Sequence, residues 1–530
     1  MKPSSAQRPN FLLFITDQQR ADHLGAYGNR VVRTPHLDAL AREGFLARRC
    51  YVASPICMPN RASLMTGRLP SVHGARHNGI PLSFAEVTFV ERLRETGYAT
   101  ALVGKGHLQN ISGNKPMWPP PSAPPTAGEA RRPESGRFDQ EWEPAWNAND
   151  DFAMQTPYYG FDAVRLVINH GDTAGGDYRR WLQREHPDVA ALTGPKHAIP
   201  TPEFALATHQ QAWRTRVPEE LSTTSYVGAQ SNQLLEQFAK ADQPFFIQCS
   251  FPDPHHPFTP PGRFWDMYRP EDMTLPSSFH ALVSGPAPHR AWMHAERDAG
   301  RAKKNTPAMF AADEREVREA LALNYGSIAH IDETIGKVLA RLTELRLDQN
   351  TVVLFTSDHG DYFGDHQLLW KGPLHYQGLI RVPLIWRDST PSGIRETSQL
   401  CSTIDIAPTI LARAGCLPYN GIQGVSLLRA IETDESLGRE ELLIEEEGQR
   451  TMFGFAARTR MRTLQTKRYR LSIYEGEDWG ELYDIDSDPG ESRNLWNGST
   501  STELRQNLLH RLALAMIRYT DTSPHPTALA

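Results

Sequence analysis

Short apolar runs that end in chemically reactive residues, separated by amphipathic helical stretches, constrain this chain more than any other feature. The clearest runs are "FLLFIT" (11–16), "ATALVG" (99–104), "FFIQCSF" (245–251), "TVVLFTS" (351–357) and "VPLIW" (382–386). Near-continuous hydrophobic runs of this length mark strands buried on both faces, and helical connections between them predict parallel pairing. In "TPHLDALAREG", Thr34 stands as cap, Pro35 at the first helical position, Leu37, Leu40 and Ala41 on one face, and Gly44 as stop. "TFVERLRETG" (88–97) repeats the arrangement. The fold class read from this pattern is α/β, with a mainly parallel central sheet covered by helices. After about residue 430 the pattern changes to "ELLIEEEG", "MFGFAARTRMRTLQTKRYRLSIYE" and a final amphipathic helix near 502–518. That predicts a smaller C-terminal α+β subdomain with an antiparallel sheet, dividing the chain into 1–430 and 431–530. A length of 530 residues, 39% of them hydrophobic, suffices for one large core and a second, smaller one. Residues 111–147 carry seven prolines between Pro116 and Pro133, with Trp118, Trp142 and Trp146 nearby. They read as a long surface loop whose tryptophans are either packing anchors or part of a substrate rim.

Several function classes are set aside by composition. No run approaches the roughly 18 apolar residues of a membrane span, and the apolar run between Arg8 and Asp17 is too short for a signal peptide. A formal charge of −6, with 56 basic residues spread along the chain, leaves no basic footprint for nucleic acid. The five cysteines (50, 57, 249, 401, 416) are odd in number and form no CxxC pair, which argues against a disulfide framework and structural zinc. The expectation is a cytoplasmic enzyme acting on a small molecule.

In open parallel sheets, ligands sit beyond the carboxyl ends of the strands. Here the first strand runs into Asp17-Gln18, the second into Lys105 and His107, the third into His255 and His256, and the fourth into Asp358-His359. Each alone has an ordinary explanation as a turn, cap or surface residue. Together, Asp17, Gln18, Asp358 and His359 offer oxygen and imidazole ligands to one divalent cation. Lys105, His107 and one histidine of the 255–256 pair would surround an anionic group on it.

The stretch "SPICMPNRASLMTGR" (54–68) presents Cys57 just ahead of a helical run. A buried structural cysteine is the base expectation. A thiolate nucleophile is the second reading, with Arg61 and a helix N-terminus to activate it. Thiol phosphatases, however, place their arginine six positions after the cysteine; here Arg61 comes at four, and Pro59 removes a backbone donor. The third reading is a resemblance: Cys57-Met58-Pro59-Asn60-Arg61, with Thr66-Gly67-Arg68 downstream, resembles the C-x-P-x-R signature of the formylglycine-dependent sulfatases. Agreement extends through "FITDQQRADHLGAYG", "SDHGDYFGDHQLLWKG" and "ELYDIDSDPGESRNL". The resemblance implies an alkaline-phosphatase-like sandwich and the oxidation of Cys57 to Cα-formylglycine by a formylglycine-generating enzyme. It further implies Asp17, Gln18, Asp358 and His359, with position 57, as metal ligands. Arg61 would hold the hydrated aldehyde, and Lys105, His107, His255 and Lys371 would bind sulfate or the leaving group. His255 is preferred to His256 because Pro254-His255-His256-Pro257 fits the family's P-H-x-P motif.

The chain departs from many sulfatases, which carry two aspartates at the first strand and Asp-Asn at the fourth. An imidazole among the ligands makes manganese as well as calcium an expected cation. The same features are similar to choline-sulfatase-like enzymes and to phosphonate monoester hydrolases, which act on phosphonate esters and phosphodiesters; Asn78 in "RHNGIPL" points to the latter as a substrate-binding residue. Lys105 and His107, which those hydrolases lack, favour a sulfate monoester. A remoter alternative is an inactive anion-binding relative. The terminal helix could join a neighbouring subunit in a homo-oligomer or cap its own domain.

Overall fold

Leucine, isoleucine and phenylalanine fill both sides of the first strand: Phe11, Leu13 and Ile15 pack into one core cluster, Leu12 and Phe14 into the other. Such a strand can only sit in the middle of a sheet covered on both faces. The computed structural model describes residues 8–114, 130–389, 395–449, 451, 453–455 and 457–528. Trp118 and the prolines from 116 to 125 lie outside them. Among the described residues the strands, in chain order, are β1 (Asn10–Thr16), β2 (Phe45–Tyr51), β3 (Ala99–Gly104), β4 (Ala163–Ile168), β5 (Gly175–Gly176), β6 (Phe245–Ser250), β7 (Phe310–Ala311) and β8 (Thr351–Ser357). They continue with β9 (Leu368–Leu369), β10 (Arg381–Val382), β11 (Leu384–Arg387), β12 (Glu396–Ser402), β13 (Glu441–Glu447), β14 (Arg460–Thr466), β15 (Tyr469–Tyr474) and β16 (Gly480–Asp484).

The large sheet has the order β10-β2-β11-β8-β1-β6-β3-β4-β5, with β12 also pairing β2. From β8 through β1, β6 and β3 to β4, every pair is parallel. β11 runs antiparallel to both β8 and β2. That returns β2 to the direction of the central strands, so the carboxyl ends of β2, β8, β1, β6, β3 and β4 open on one edge. Pro383, which cannot donate to a ladder, splits the expected "VPLIW" strand into β10 and β11. β2 escapes a reading by apolar runs because Arg48 and Arg49 interrupt it.

Helix Pro35–Glu43 forms as expected, but Thr34 makes no side-chain cap to it. Instead, the Thr34 hydroxyl accepts from Gly25 N–H at 3.0 Å. Helix Phe89–Glu95 has a full capping box between Thr88 and Glu91. The 111–147 loop runs into a short helix, Glu143–Ala148. Trp146 is buried there, donates to Gln140 O at 2.8 Å and lies under the Arg180 guanidinium, so it is a packing anchor. Trp142 is half-exposed.

β13 to β16 form an antiparallel sheet in chain order. Leu443, Leu464, Leu471 and Leu482 bury against Leu508, Leu512 and Ala515 of the terminal helix Thr502–Arg518. The three glutamates of "EEE" are all buried in β13. They are paired with Arg462, His375 and Arg76, at 3.2, 2.9 and 3.3 Å. His375 and Arg76 belong to the main α/β body, so these pairs tie the small sheet beside the carboxyl edge of the large one.

Candidate active site

The carboxyl edge of the large sheet collects the reactive side chains because its central strands all point there. β1 leads into Asp17 and Gln18, β3 into Lys105 and His107, β4 into His170, β6 into His255 and His256, and β8 into Asp358 and His359. β2 leads, through "VASPI", into the buried helix Cys57–Thr66, whose first residue is the cysteine. The 359–371 segment then brings Lys371 back over the edge.

Cys57 Sγ lies 3.0 Å from His359 Nε2, 3.2 Å from Lys371 Nζ and 3.8 Å from Asp17 Oδ1. Asp17, Cys57, Asp358 and His359 are buried, and their donor atoms lie within 4.8 Å of one another. The His359 ring faces Gly360 O with Nδ1 at 2.8 Å, which assigns the proton to Nδ1 and leaves the Nε2 lone pair directed at the cluster. Gln18 Oε1 accepts from Lys371 Nζ at 3.0 Å. Two buried carboxylates, an imidazole nitrogen and a carboxamide oxygen make a donor set that fits one divalent cation.

Arg61 holds this cluster together from beneath. Its Nε donates to Asp358 Oδ2 at 2.8 Å, and its Nη1 donates to Ser250 Oγ and Lys105 O at 2.9 and 3.0 Å. Lys105 pairs with Asp17 and lies 2.7 Å from His170 Nε2. Gly104 precedes it at φ +102, where an added Cβ would run into the Ser250 carbonyl; only glycine lets β3 end so close to β6. His255 Nε2 is 2.9 Å from Lys371 Nζ. His107 is buried on the loop after β3, whose backbone is pinned by Glu141 through the N–H groups of His107 and Leu108. Asn78 stands one step out: its Oδ1 accepts from Met58 N–H at 3.1 Å, capping the Cys57 helix from outside.

Comparison with known proteins places this geometry. The sulfatase family model matches residues 9–416, and the C-terminal model of N-sulphoglucosamine sulphohydrolase matches 364–517. The chain belongs to the sulfatase family. It is thereby a sulfuric ester hydrolase of the alkaline phosphatase superfamily. An arylsulfatase of Clostridium perfringens is 28% identical, over 97% of this chain and 96% of that protein. A multifunctional alkaline phosphatase superfamily protein of Trinickia caryophylli is 28% identical, over 79% of this chain and 76% of that one. Among solved structures, the phosphonate monoester hydrolase of Agrobacterium radiobacter shares the fold with a TM-score of 0.76 at 24% identity, covering 99% and 98% of the two chains.

The electrostatics of the sulfatase site follow from burial opposed by charge. Burial raises the Asp17 carboxyl, but Lys105, His255 and His170 more than offset it and hold it well below the usual carboxylate range. Burial and Asp17 push the Cys57 thiol up, and Lys371, His359 and Lys105 outweigh them, so it falls below the ordinary thiol value. His107 is driven well below the imidazole range by burial, then by Lys105 and Arg61. His255 is lowered likewise by burial, His170 and Lys371. Both rings are therefore neutral at neutral pH.

Three residues of this site escape the sequence reading. His170 follows β4 in "VINHGD"; its ring stacks on His255 at 3.8 Å and its Nε2 lies 3.2 Å from Asp17 Oδ2. The strand-end rule would find it were "AVRLVI" read as a strand, but Arg165 breaks that run. Asp361, two residues after His359, is buried and pushed up to about 7 by burial. Glu141 lies near the end of the proline-rich loop, and nothing in its sequence marks it.

Proposed function

We propose that this sulfatase hydrolyses a small sulfate monoester to an alcohol and sulfate, using Cα-formylglycine made from Cys57 and one divalent cation, manganese or calcium. The placement of Cys57 carries the reading: it opens a buried helix, within 3.2 Å of both His359 and Lys371 and beside Asp17. Asp17, Gln18, Asp358 and His359, with position 57, would hold the cation, which supplies charge to a sulfate oxygen and acidity to a hydroxyl. Once formed, the hydrated aldehyde would offer two hydroxyls on one carbon, one to accept the sulfuryl group and one whose proton could be lost to release sulfate.

The chain's own residues do the rest. Arg61 fixes Asp358 and stands below position 57, keeping the hydrate in register. Lys105, His107 and Lys371 ring the sulfate oxygens with donors. His255 would stand at the departing oxygen together with Lys371, whose Nζ lies 2.9 Å from His255 Nε2. The ring is neutral. Burial lowers Lys371, but Cys57, Asp17 and Asp358 more than offset it, so the ammonium is the member of the pair that would supply the proton. His255 Nδ1 donates to the His256 carbonyl, so Nε2 is the nitrogen that accepts from Lys371.

The same reading makes a formylglycine-generating enzyme a maturation partner and sets the boundary between catalytic and C-terminal parts near residue 430. Five buried, unpaired cysteines support a reducing compartment. No helix among the described residues is long and apolar enough to cross a membrane. A phosphonate or phosphodiester activity at the same aldehyde is the competing chemistry.

The test is a paired turnover assay on metal-loaded protein, co-expressed with the converting enzyme and checked by mass spectrometry for loss of the Cys57 thiol. An aryl sulfate and an aryl phosphonate monoester with one common leaving group are compared, with Cys57→Ala as control. Sulfate turnover well above phosphonate, lost in the control, is the expected result. Phosphonate turnover well above sulfate overturns the assignment.

A further inference from the structure

A carboxamide ligand has two unlike ends, and only the oxygen end serves a cation. Gln18 therefore needs its ends sorted. Its Nε2 lies 2.5 Å from Asp361 Oδ2 and 3.0 Å from His256 Nδ1, so both amide hydrogens have acceptors, while Oε1 faces Lys371 Nζ at 3.0 Å. Asp361 cannot turn away, because its Oδ1 accepts from the backbone N–H groups of Phe363 and Trp370, at 2.8 and 3.1 Å. His256 is clamped by stacking on Trp370 at 4.0 Å and on His255 at 4.2 Å. The Gln18 backbone is set as well: φ is +64 and its N–H donates to Asp358 Oδ1 at 3.1 Å.

We propose that Asp361 and His256 are positioning residues that hold Gln18 with its carbonyl oxygen, not its amide nitrogen, toward the metal cluster. The inference rests on the reading of a divalent cation at that cluster. It gives the second histidine of "PHHP" a task distinct from that of His255. It also explains a glutamine at position 18: a carboxylate there would face the Asp361 carboxylate at hydrogen-bonding distance. Through the Trp370 N–H, the same carboxylate anchors the residue beside Lys371, so one buried group sets both a cation ligand and a cation-neighbouring lysine.

The pairing makes a specific exchange testable. In Asp361→Asn the Oδ1 keeps both backbone bonds, and the new Nδ2 faces Gln18, whose carboxamide must invert and turn its nitrogen inward. In the double variant Gln18→Glu/Asp361→Asn, the carboxamide introduced at position 361 donates to the carboxylate introduced at position 18, and an oxygen again faces the cluster. His256 Nε2 has no partner among the described residues, so its proton can move to Nδ1 to suit the new acceptor.

Mn2+ affinity is measured by calorimetry on purified proteins of equal Cys57 conversion. Asp361→Asn is expected to bind Mn2+ about 10- to 100-fold more weakly than the parent. The double variant is expected to recover to within about tenfold. His256→Phe, which keeps the ring stack but removes one acceptor, is expected to weaken binding by a smaller factor. Parent protein that binds neither Mn2+ nor, in a parallel titration, Ca2+ refutes the cation reading itself. Parent protein that binds, with Asp361→Asn unchanged or the double variant unrecovered, overturns the inference. Should Asp361→Asn fail to fold, an unchanged affinity in His256→Phe overturns it alone.

Discussion

His330 offers a quantitative check on how burial controls the acid stability of this enzyme. It lies in helix Glu314–Glu344, is 4% exposed, stacks on Phe264 at 4.5 Å and places Nε2 3.1 Å from Ser225 Oγ. Burial, reinforced by Lys337 and Arg263, pulls its pKa from 6.5 down to about 3. The folded value is the lower one, so the unfolded chain takes up the proton first; the contribution is intact above 6.5 and drains as pH falls toward 3. At 1.36 kcal/mol per unit, the loss between pH 7 and pH 5 is about 2 kcal/mol. His330→Gln removes the titration and keeps a partner for Ser225. Unfolding of so long a chain is not a single two-state event, so the quantity to read is the difference between the two proteins. With an unfolding entropy of about 2.1 cal/mol/K per residue, 2 kcal/mol corresponds to about 2 °C if all 530 residues unfold together, and more for a smaller unit. Thermal melts at pH 7 and 5 should show the parent losing that much more than the variant. Parallel pH dependences in the two proteins would refute the reasoning.

Other consequences follow from the same geometry. His170→Ala removes the ring beneath His255 and a contact to Lys105; at about 1.5–3 kcal/mol for a bond to a charged group, aryl sulfate kcat/KM should fall by about ten- to a hundredfold with little change in melting temperature. Trp146→Ala should cost about 3–5 kcal/mol in stability, read as a lowered melting temperature, while the ratio of sulfate to phosphonate turnover stays constant. Dialysis against a chelator should lower the melting temperature, and added Mn2+ should restore it in a concentration-dependent way, since a ligand of the folded state stabilises by mass action. A melt indifferent to both treatments would count against the cation site.

Much of this enzyme was legible in one dimension because its central strands are buried on both faces. Such strands must be apolar throughout, so their limits and the polar residues that follow them stand out. Asp17, Lys105 and Asp358 were each readable as the first chemistry after an apolar run, His255 as the first histidine after another, and the Cys57 signature lies within one short unbroken stretch. What the chain alone could not show is which of its distant ends meet and how they are turned. β2 and β4 carry arginines at positions where the sheet meets solvent or a long side chain can reach it, so their ends, and with them His170, were hidden. The reversal of β11 after Pro383 is decided by its pairing with β8 and with the sequence-distant β2, not by local propensity. Glu141 and Asp361 act through backbone donors that exist only once the loops after β3 and β8 have folded. The orientation of Gln18 is the sharpest case: the residue type promises an oxygen and a nitrogen equally, and only the tertiary placement of a carboxylate and an imidazole around it selects which end faces the cluster.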